Sequence, residues 1–494
     1  MRERIIFFTR LPEMGSGKTR LAKFLSEDER FDLITRLFTR TLKEIEATRV
    51  SYSIHYSGNK EEIRFFGIPT HEQEGEGLGE KMHKSLVHEL KTYSKVVLIG
   101  SDLANISADY IKEAFKALDT KDLVLGPSLD GGYGLIGMKE DLDVFTGISY
   151  SREDVLEKTI DRLDPSKSYQ VFGPLRDIDE PIDLVREELE AEEIEHLGHG
   201  EYNLNYKYKK SGQTGVFRVN LGSQMDLGED QIPYEYGALK PLEPSGVTPR
   251  PYRMVKKGAW VPRPYLTMEY LEGRPLDYDR DMETAAYILS TIHSQPTENT
   301  GLIQATRPFE KMYEEFEAMF SHYRAWDKKD EEVEGWIQRL LDIAESLGLA
   351  DGIRTPSIIN TELNNRNFII GETKESSYLI DWEKPLIGDA EQDLAHFTVP
   401  TTTKWKTDKV LTREEVDSFL DLYEVYRPLD RKLFDKYYIF NCLRGISWSS
   451  MARVEYDGAR ALTNDETLEK IKLFTSVDFI DFIYQNFYKE YDID

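Results

Sequence analysis

Between Arg4 and Asp183 short apolar runs alternate with helical patterns, and no other feature restricts the possible folds as much. Ile5–Phe8, Tyr52–Tyr56, Val96–Ile99 and Leu123–Leu125 read as strands, while Lys18–Phe24, Phe31–Ile45, Leu78–Leu90 and Ala108–Leu118 read as helices. Strands alternating with helices predict a mainly parallel sheet covered on both faces. The acidic stretch Val185–His196 reads as a solvated helix leading out of this domain. After Gly198 the texture changes. Tyr202–Tyr208 and Val216–Val219 read as strands around a turn at Ser211-Gly212, followed by a helix over Gln231–Leu242 and a strand over Tyr265–Tyr270. From Met282 onward the chain is largely helical and aromatic-rich. The expected domains are 1–196 and 197–494, the second divided into a small lobe, 197–272, and a large lobe, 273–494.

A formal net charge of −27 over 494 residues argues against a nucleic-acid footprint, which needs a basic face. It also means that any phosphate site must be built locally from Lys, Arg, backbone N–H groups and Mg²⁺. No apolar run approaches the ~20 residues of a membrane span. The single cysteine, Cys442, excludes an internal disulfide framework and a Cys-based zinc site. These features together predict a cytoplasmic protein without a membrane or nucleic-acid partner.

In the first domain the opening strand runs into Gly15-Ser16-Gly17-Lys18-Thr19-Arg20. A P-loop would need glycine where Pro12 stands, so that reading fits poorly. A Gly-rich turn carrying Lys18 and Arg20 fits better as a phosphate cradle, with the two cations balancing charge. Taken alone it would be a capped surface helix with solvated charges. Three further segments weigh against that. Asp102 ends an apolar strand, where open α/β sheets bind ligands. Gly126–Gly134 is a long Gly-rich turn that includes Asp130 and Gly131, and Arg176–Pro181 supplies more carboxylates before a helix.

Phe8–Leu21, Gln73–Met82, Ile99–Leu103, Gly126–Gly137 and Asp177–Leu184 occur in the order of, and resemble, the selenodomain-associated transferase group. That group is glycosyltransferase-A-like and similar to phospholactate guanylyltransferase and molybdenum-cofactor nucleotidyltransferases. The resemblance implies Lys18 and Arg20 as catalytic phosphate ligands and Asp102 and Asp179 on Mg²⁺. Gly15, Gly17, Gln73, Asp130 and Gly131 would then line the nucleotide and acceptor.

In the second domain, Ile358–Asn367 followed by Leu379-Ile380-Asp381-Trp382 places a carboxylate five residues before an asparagine and another carboxylate at the end of an apolar run. Kinase-type phosphoryl transfer uses this set: one carboxylate orients the hydroxyl, while Asn and Asp hold Mg²⁺ against nucleotide phosphates. Asn360 and Glu362 stand where the usual pattern has His and Asp. Arg218 at a strand centre and Glu235 on the next helix suit the cation that pairs phosphates and its steadying carboxylate.

Glu201–Tyr206, Met268–Gly273, Ile292–Ser294, Asn360–Ile370 and Leu379–Asp393 resemble the aminoglycoside phosphotransferase/choline kinase-like family. A bilobal, protein-kinase-like α+β fold is implied. Adenine would lie at the Glu269–Leu271 linker, with Tyr202, Arg218 and Glu235 on ATP, Asn367 and Asp381 on Mg²⁺, and Glu362 as catalytic carboxylate. The reading that joins both halves is a kinase acting on a small hydroxyl compound of the sugar or amino-alcohol class, coupled to a nucleotidyltransferase that uses a second NTP. A glycosyltransferase-type first domain and a nucleotide sensor with degenerate sites are the alternatives.

Overall fold

In the computed structural model the described residues are 2–59, 67–150, 152–199, 203–223, 225–458 and 465–492. They form two compact units, 1–197 with 208–213 and 257–262, and the remainder of the chain. The two short inserts could not be foreseen from linear texture. The 257–262 loop belongs to the first unit because Trp260 stacks under Arg36, at 4.1 Å from the ring centroid, and its backbone N–H donates to Glu188.

The first unit runs β1 (Glu3–Arg10), α1 (Glu27–Ala47), β2 (Tyr52–Ser57), β3 (Thr70–Glu72), α2 (Leu78–Leu90), β4 (Lys95–Gly100), α3 (Ala108–Ala117), β5 (Leu123–Pro127), β6 (Tyr133–Met138), α4 (Val155–Asp161), β7 (Tyr169–Val171) and α5 (Pro181–Leu189). The sheet order is β3-β2-β1-β4-β6-β5-β7. Alternate residues of the central strands serve opposite faces. Ile5, Phe7, Val97 and Ile99 pack with Phe38 and Ile45 of α1, while Ile6, Phe8, Val96 and Leu98 pack with Met82 and Leu86 of α2. Continuous apolar strands are thus explained by burial on both faces.

The sheet is mainly parallel, as expected, with one antiparallel strand. β6 lies between β4 and β5 and is antiparallel to both. β6, Tyr133–Met138, begins inside the expected Gly-rich turn Gly126–Gly134, taking Tyr133 and Gly134 from it, so that turn shrinks to Ser128–Gly132. Two helix expectations also change. Lys18–Phe24 keeps only a 3₁₀ turn at Thr19–Leu21, because Lys18 is left-handed at φ 48°. Val185–His196 stays helical only to Leu189; Glu190 turns left-handed at φ 53°, and a strand begins at Glu193.

That strand is β8 (Glu193–His199), followed by β9 (Asn203–Lys210), β10 (Gln213–Asn220), α6 (Gln231–Leu242), β11 (Pro251–Val255) and β12 (Tyr265–Glu269). The five strands form a sheet in the order β11-β12-β10-β9-β8, antiparallel where β12 pairs with β10 and β11. The helical part contains α7 (Met282–His293), α8 (Pro308–Arg324), α9 (Glu331–Ser346), β13 (Pro356–Ile359), β14 (Phe368–Ile369), β15 (Tyr378–Leu379), β16 (Leu386–Asp389), α10 (Ala390–Thr398), α11 (Pro400–Lys406), α12 (Arg413–Glu424), α13 (Arg431–Asp457), α14 (Asp465–Phe474) and α15 (Val477–Ile483). α13 is its spine, burying Phe434, Tyr437, Phe440 and Leu443 in one core with Phe309 and Phe316 of α8. Among the described residues no helix is long and apolar enough to cross a membrane.

Candidate functional sites

In the first unit a cavity of ≈ 480 Å³ opens beyond the carboxyl ends of β1 and β4. Lys18, Gln73, Asp102, Asp130, Asp177 and Asp179 all border it. Gly15 and Gly17 take φ of 75° and 80°, so the turn after β1 folds back and delivers Lys18 inward. The Lys18 ammonium is 6 % exposed and lies 2.7 Å from Asp102 and 3.6 Å from Asp179. Burial pulls this ammonium down, but Asp102, Asp179 and Asp177 outweigh it and hold it above its ordinary value. Arg20 stays exposed and donates to Asp179 at 2.8 Å. Four of the expected residues, far apart in sequence, are therefore one charge cluster.

The neighbouring expectations are placed differently. Gln73 lines the cavity, but its amide N–H₂ donates to the carbonyls of Thr9 and His55, both at 3.0 Å, so only its oxygen is left for a ligand. Asp130 spends Oδ1 on Ser128 and on the Gly132 N–H, holding its own turn. Gly131, at φ 86°, is obligatory there, since a Cβ would meet the Glu153 carbonyl oxygen at 2.1 Å. Asp177 was quoted in a motif but not singled out. Burial, reinforced by Asp130, pushes its carboxyl up to about 6. The signal that could have found it is its spacing: Asp177 and Asp179 lie on one side of an extended segment, two residues apart.

In the second unit the guanidinium of Arg218, at the centre of β10, gathers three carboxylates. It pairs with Glu235 of α6 at 2.9 Å, with Asp381 at 3.0 Å, and with Glu383. Both Arg218 and Glu235 are buried. Burial lowers the guanidinium and the three carboxylates raise it, with the net direction upward. Burial likewise lifts the Glu235 carboxyl against the pull of Arg218, so its charge depends on that partner. Asp381 adopts φ 67° and Thr361 φ 72°, left-handed conformations that non-glycine residues hold only when the surroundings enforce them.

Those surroundings are visible. Asn360 accepts from the Glu362 N–H through Oδ1 and donates to the Asp381 carbonyl through Nδ2 at 2.8 Å, so it ties the Glu362 loop to the Asp381 turn. An amide, like an imidazole, can donate and accept at once. Asp393, fully buried, receives the N–H groups of Asn360 and Thr361. Asn367 is joined to the same turn, because its carbonyl accepts from the Ile380 N–H at 2.8 Å. Glu362 lies against Lys384 at 2.5 Å. Burial raises its carboxyl, but Lys384 and Arg444 outweigh burial and leave it below its ordinary value.

Glu269 sits at the end of β12, its N–H donating to Arg250, and Leu271 is buried just beyond. Tyr202 lies outside the described residues. Sequence reasoning missed Glu383, Lys384 and Arg444. The first two lie inside the quoted Leu379–Asp393 motif, whereas Arg444 comes from α13 and carries no local signal.

Two family profiles match the chain, one on each half. The Phosphotransferase enzyme family matches residues 193–429. The other, DUF2064, described as an uncharacterised protein conserved in bacteria, matches residues 41–152. The 2-phospho-L-lactate guanylyltransferase of Methanocaldococcus jannaschii is 28% identical over 200 residues, covering 39% of this chain and 83% of that protein. Among solved structures, the chain resembles Plasmodium vivax ethanolamine kinase, at 14% identity and a TM-score of 0.43 over 60% of this chain and 85% of that one. It also resembles spectinomycin phosphotransferase in complex with ADP and its drug, at 14% identity and a TM-score of 0.42 over 60% and 94%. The chain is a transferase with a nucleotidyltransferase-like first region and a phosphotransferase-like second region.

Proposed function

We propose that the chain is a cytoplasmic bifunctional transferase. Its second domain phosphorylates a small hydroxyl compound with ATP, and its first joins that phosphate to the nucleotidyl group of an NTP, releasing pyrophosphate. The observation that carries the kinase half is the Arg218 cluster, which brings Glu235 and Asp381 to one guanidinium while Asn360 ties Asp381 to the Glu362 loop. Glu362, held ionised by its cations, orients the acceptor hydroxyl and receives its proton. Asp381 has one oxygen away from Arg218 and lies next to Asn367, an oxygen-donor pair that suits Mg²⁺. Bound there, the ion would offset the phosphate charge.

For the first domain, the similarity to guanylyltransferases supports nucleotidyl transfer onto a phosphorylated small molecule, with a guanine nucleotide as the first NTP to try. Lys18 on the cavity wall and Arg20 beside Asp179 are the cations that gather phosphates, with Arg10 and Arg152 also on that wall, and Asp102 and Asp179 supply oxygen donors suited to Mg²⁺. A phosphate oxygen of the acceptor attacks the α-phosphorus, and the bond to the bridging oxygen breaks as pyrophosphate leaves. The test separates the halves. Asp381→Asn should abolish ADP formation. Asp102→Ala should stop pyrophosphate release and let the phosphorylated intermediate accumulate. Loss of ADP formation in a folded Asp102→Ala protein overturns the two-site assignment, and release of a nucleoside diphosphate from a nucleotide sugar would identify a glycosyltransferase instead.

A further inference from the structure

Beside Glu362 lies a cavity of ≈ 200 Å³ whose charge runs against that of the chain. Lys311, Lys384 and Arg444 line it, with Glu315 the one carboxylate among the described lining residues. Met312 and Leu386 supply an apolar wall. Arg444 donates through Nη1 to the Thr361 carbonyl at 3.1 Å, and its Nη2 is 3.9 Å from Glu315. That anchoring fixes the guanidinium without using all five of its donors. Lys384 lies on Glu362, so two cations flank the carboxylate that must face the acceptor hydroxyl. An ammonium-bearing acceptor would have to displace them. A carboxylate would instead complete them, since an arginine fork matches its two oxygens. The volume falls below the ~300–1,000 Å³ of drug-sized sites, which restricts the acceptor to a few carbons.

We propose that the acceptor is a small hydroxy acid, its carboxylate on Arg444 and its hydroxyl at Glu362; this rests on the kinase reading of the second domain. The hydroxyl oxygen bonds to the γ-phosphorus, the bond to the β–γ bridging oxygen breaks, the hydroxyl proton passes to Glu362, and ADP leaves. The product carries a phosphate and a carboxylate, the chemistry named in the guanylyltransferase similar to the first domain. An amino-alcohol acceptor, part of the sequence expectation, is disfavoured by the same cations.

The test offers the full chain, with ATP and Mg²⁺, three sets of small acceptors: lactate and glycerate, glycerol and propanediol, ethanolamine and choline. ADP release should follow the two acids. Arg444→Gln should raise KM for the acid about 10²-fold with a smaller change in kcat, and Arg444→Lys should recover part of it. Turnover of a neutral or cationic acceptor with both acids inert overturns the acid class and leaves the kinase reading standing. No ADP from any acceptor removes the kinase reading and this inference together. An unchanged KM in a folded Arg444→Gln protein overturns the carboxylate position.

An independent observation concerns the far edge of the first sheet. β2 and β3 pair in parallel with His55 directly beside His71. Glu89 of α2 comes over both, 3.3 Å from His55 Nε2 and 4.0 Å from His71 Nε2. One ligand atom from each lies within 4.8 Å of the others. The His88 ring lies tilted against His71 with centroids 4.4 Å apart. Glu89 is aimed by Arg4, which holds Oε2 at 3.1 Å, and by Ser53, which donates to Oε1 at 2.6 Å. Such orienting partners are what ligating carboxylates carry.

We infer that His55, His71 and Glu89 bind one divalent transition-metal ion of the zinc class, for which an imidazole–carboxylate set with bonds of about 2.0–2.2 Å is suited. β3 leads directly to Gln73 at the cavity wall, so the ion would pin the strand that carries it.

Full-length protein stripped with chelator should take up one equivalent of Zn²⁺, measured by elemental analysis, and show d–d absorption with Co²⁺. Its melting temperature should rise with Zn²⁺ but not with Mg²⁺. His71→Ala, at a partly exposed position, should lose all three signals while staying folded. Uptake well below one equivalent, or the same uptake and Co²⁺ spectrum in His71→Ala, overturns the site.

Discussion

Replacing Arg218 with Met removes the positive partner of a carboxylate that has almost no access to water. Glu235 is 2 % exposed, against 45 % for Asp381 and 17 % for Glu383, so the stranded charge is chiefly that of Glu235. Breaking a buried pair from one side costs about 3–5 kcal/mol, whereas removing both partners is near neutral. For a unit of this size the loss corresponds to a melting shift on the order of 10 °C. Arg218→Met/Glu235→Met should recover most of that loss, because the two remaining carboxylates are better hydrated. Thermal unfolding followed by tryptophan fluorescence measures the stability, and ADP release measures turnover. The double variant should be folded yet inactive, which separates the role in turnover from the role in folding. Stability of Arg218→Met within about 1 kcal/mol of the parent would refute the reasoning. So would a double variant as unstable as the single one.

Glu362→Gln keeps the shape of the side chain and removes its charge, so kcat should fall about 10²–10⁴-fold with ATP affinity unchanged by calorimetry. Lys18→Met should leave ADP formation intact but weaken NTP binding to the first domain, and equilibrium titration with GTP reads this. Gly131→Ala places a methyl against the Glu153 carbonyl at a position of φ 86°, and should destabilise the first unit by about 1–3 kcal/mol in urea unfolding. His396 is partly buried, and desolvation, then Arg444, brings its imidazole down to about 4. The unfolded chain therefore takes up that proton first. Stability should fall by about 3 kcal/mol as pH drops from ~6.5 to ~4, and the difference in urea midpoint between parent and His396→Asn across that window isolates it.

Element types were largely legible from local pattern, because burial on one or two faces writes a period of 2 or 3.6 into the chain. Gln231–Leu242 and Leu78–Leu90 came out to the residue. The failures share a cause. Tyr133–Met138 begins in the tail of a glycine turn, and only its place between β4 and β5 makes it a strand. Glu193–His199 has the charge of a solvated helix but continues as β8, since Glu190 ends α5 and the partner strand β9 decides the rest.

The same division holds for the sites. Residue types and spacing marked Lys18, Asp102, Asp179, Arg218, Glu362, Asn367 and Asp381, because phosphate and Mg²⁺ chemistry needs cations and oxygen donors at strand ends and on short loops. Spacing cannot say which charges meet. That Lys18 joins Asp102 and Asp179, and that Arg218 joins Asp381 and Glu383 as well as Glu235, follows from contacts across 17 to 165 residues of chain. Arg444 and the His55–His71–Glu89 group lay outside any motif for the same reason. A helix residue and three residues on separate elements acquire a common environment only when packing closes the distance, and the low dielectric of that packed interior is what turns proximity into chemistry.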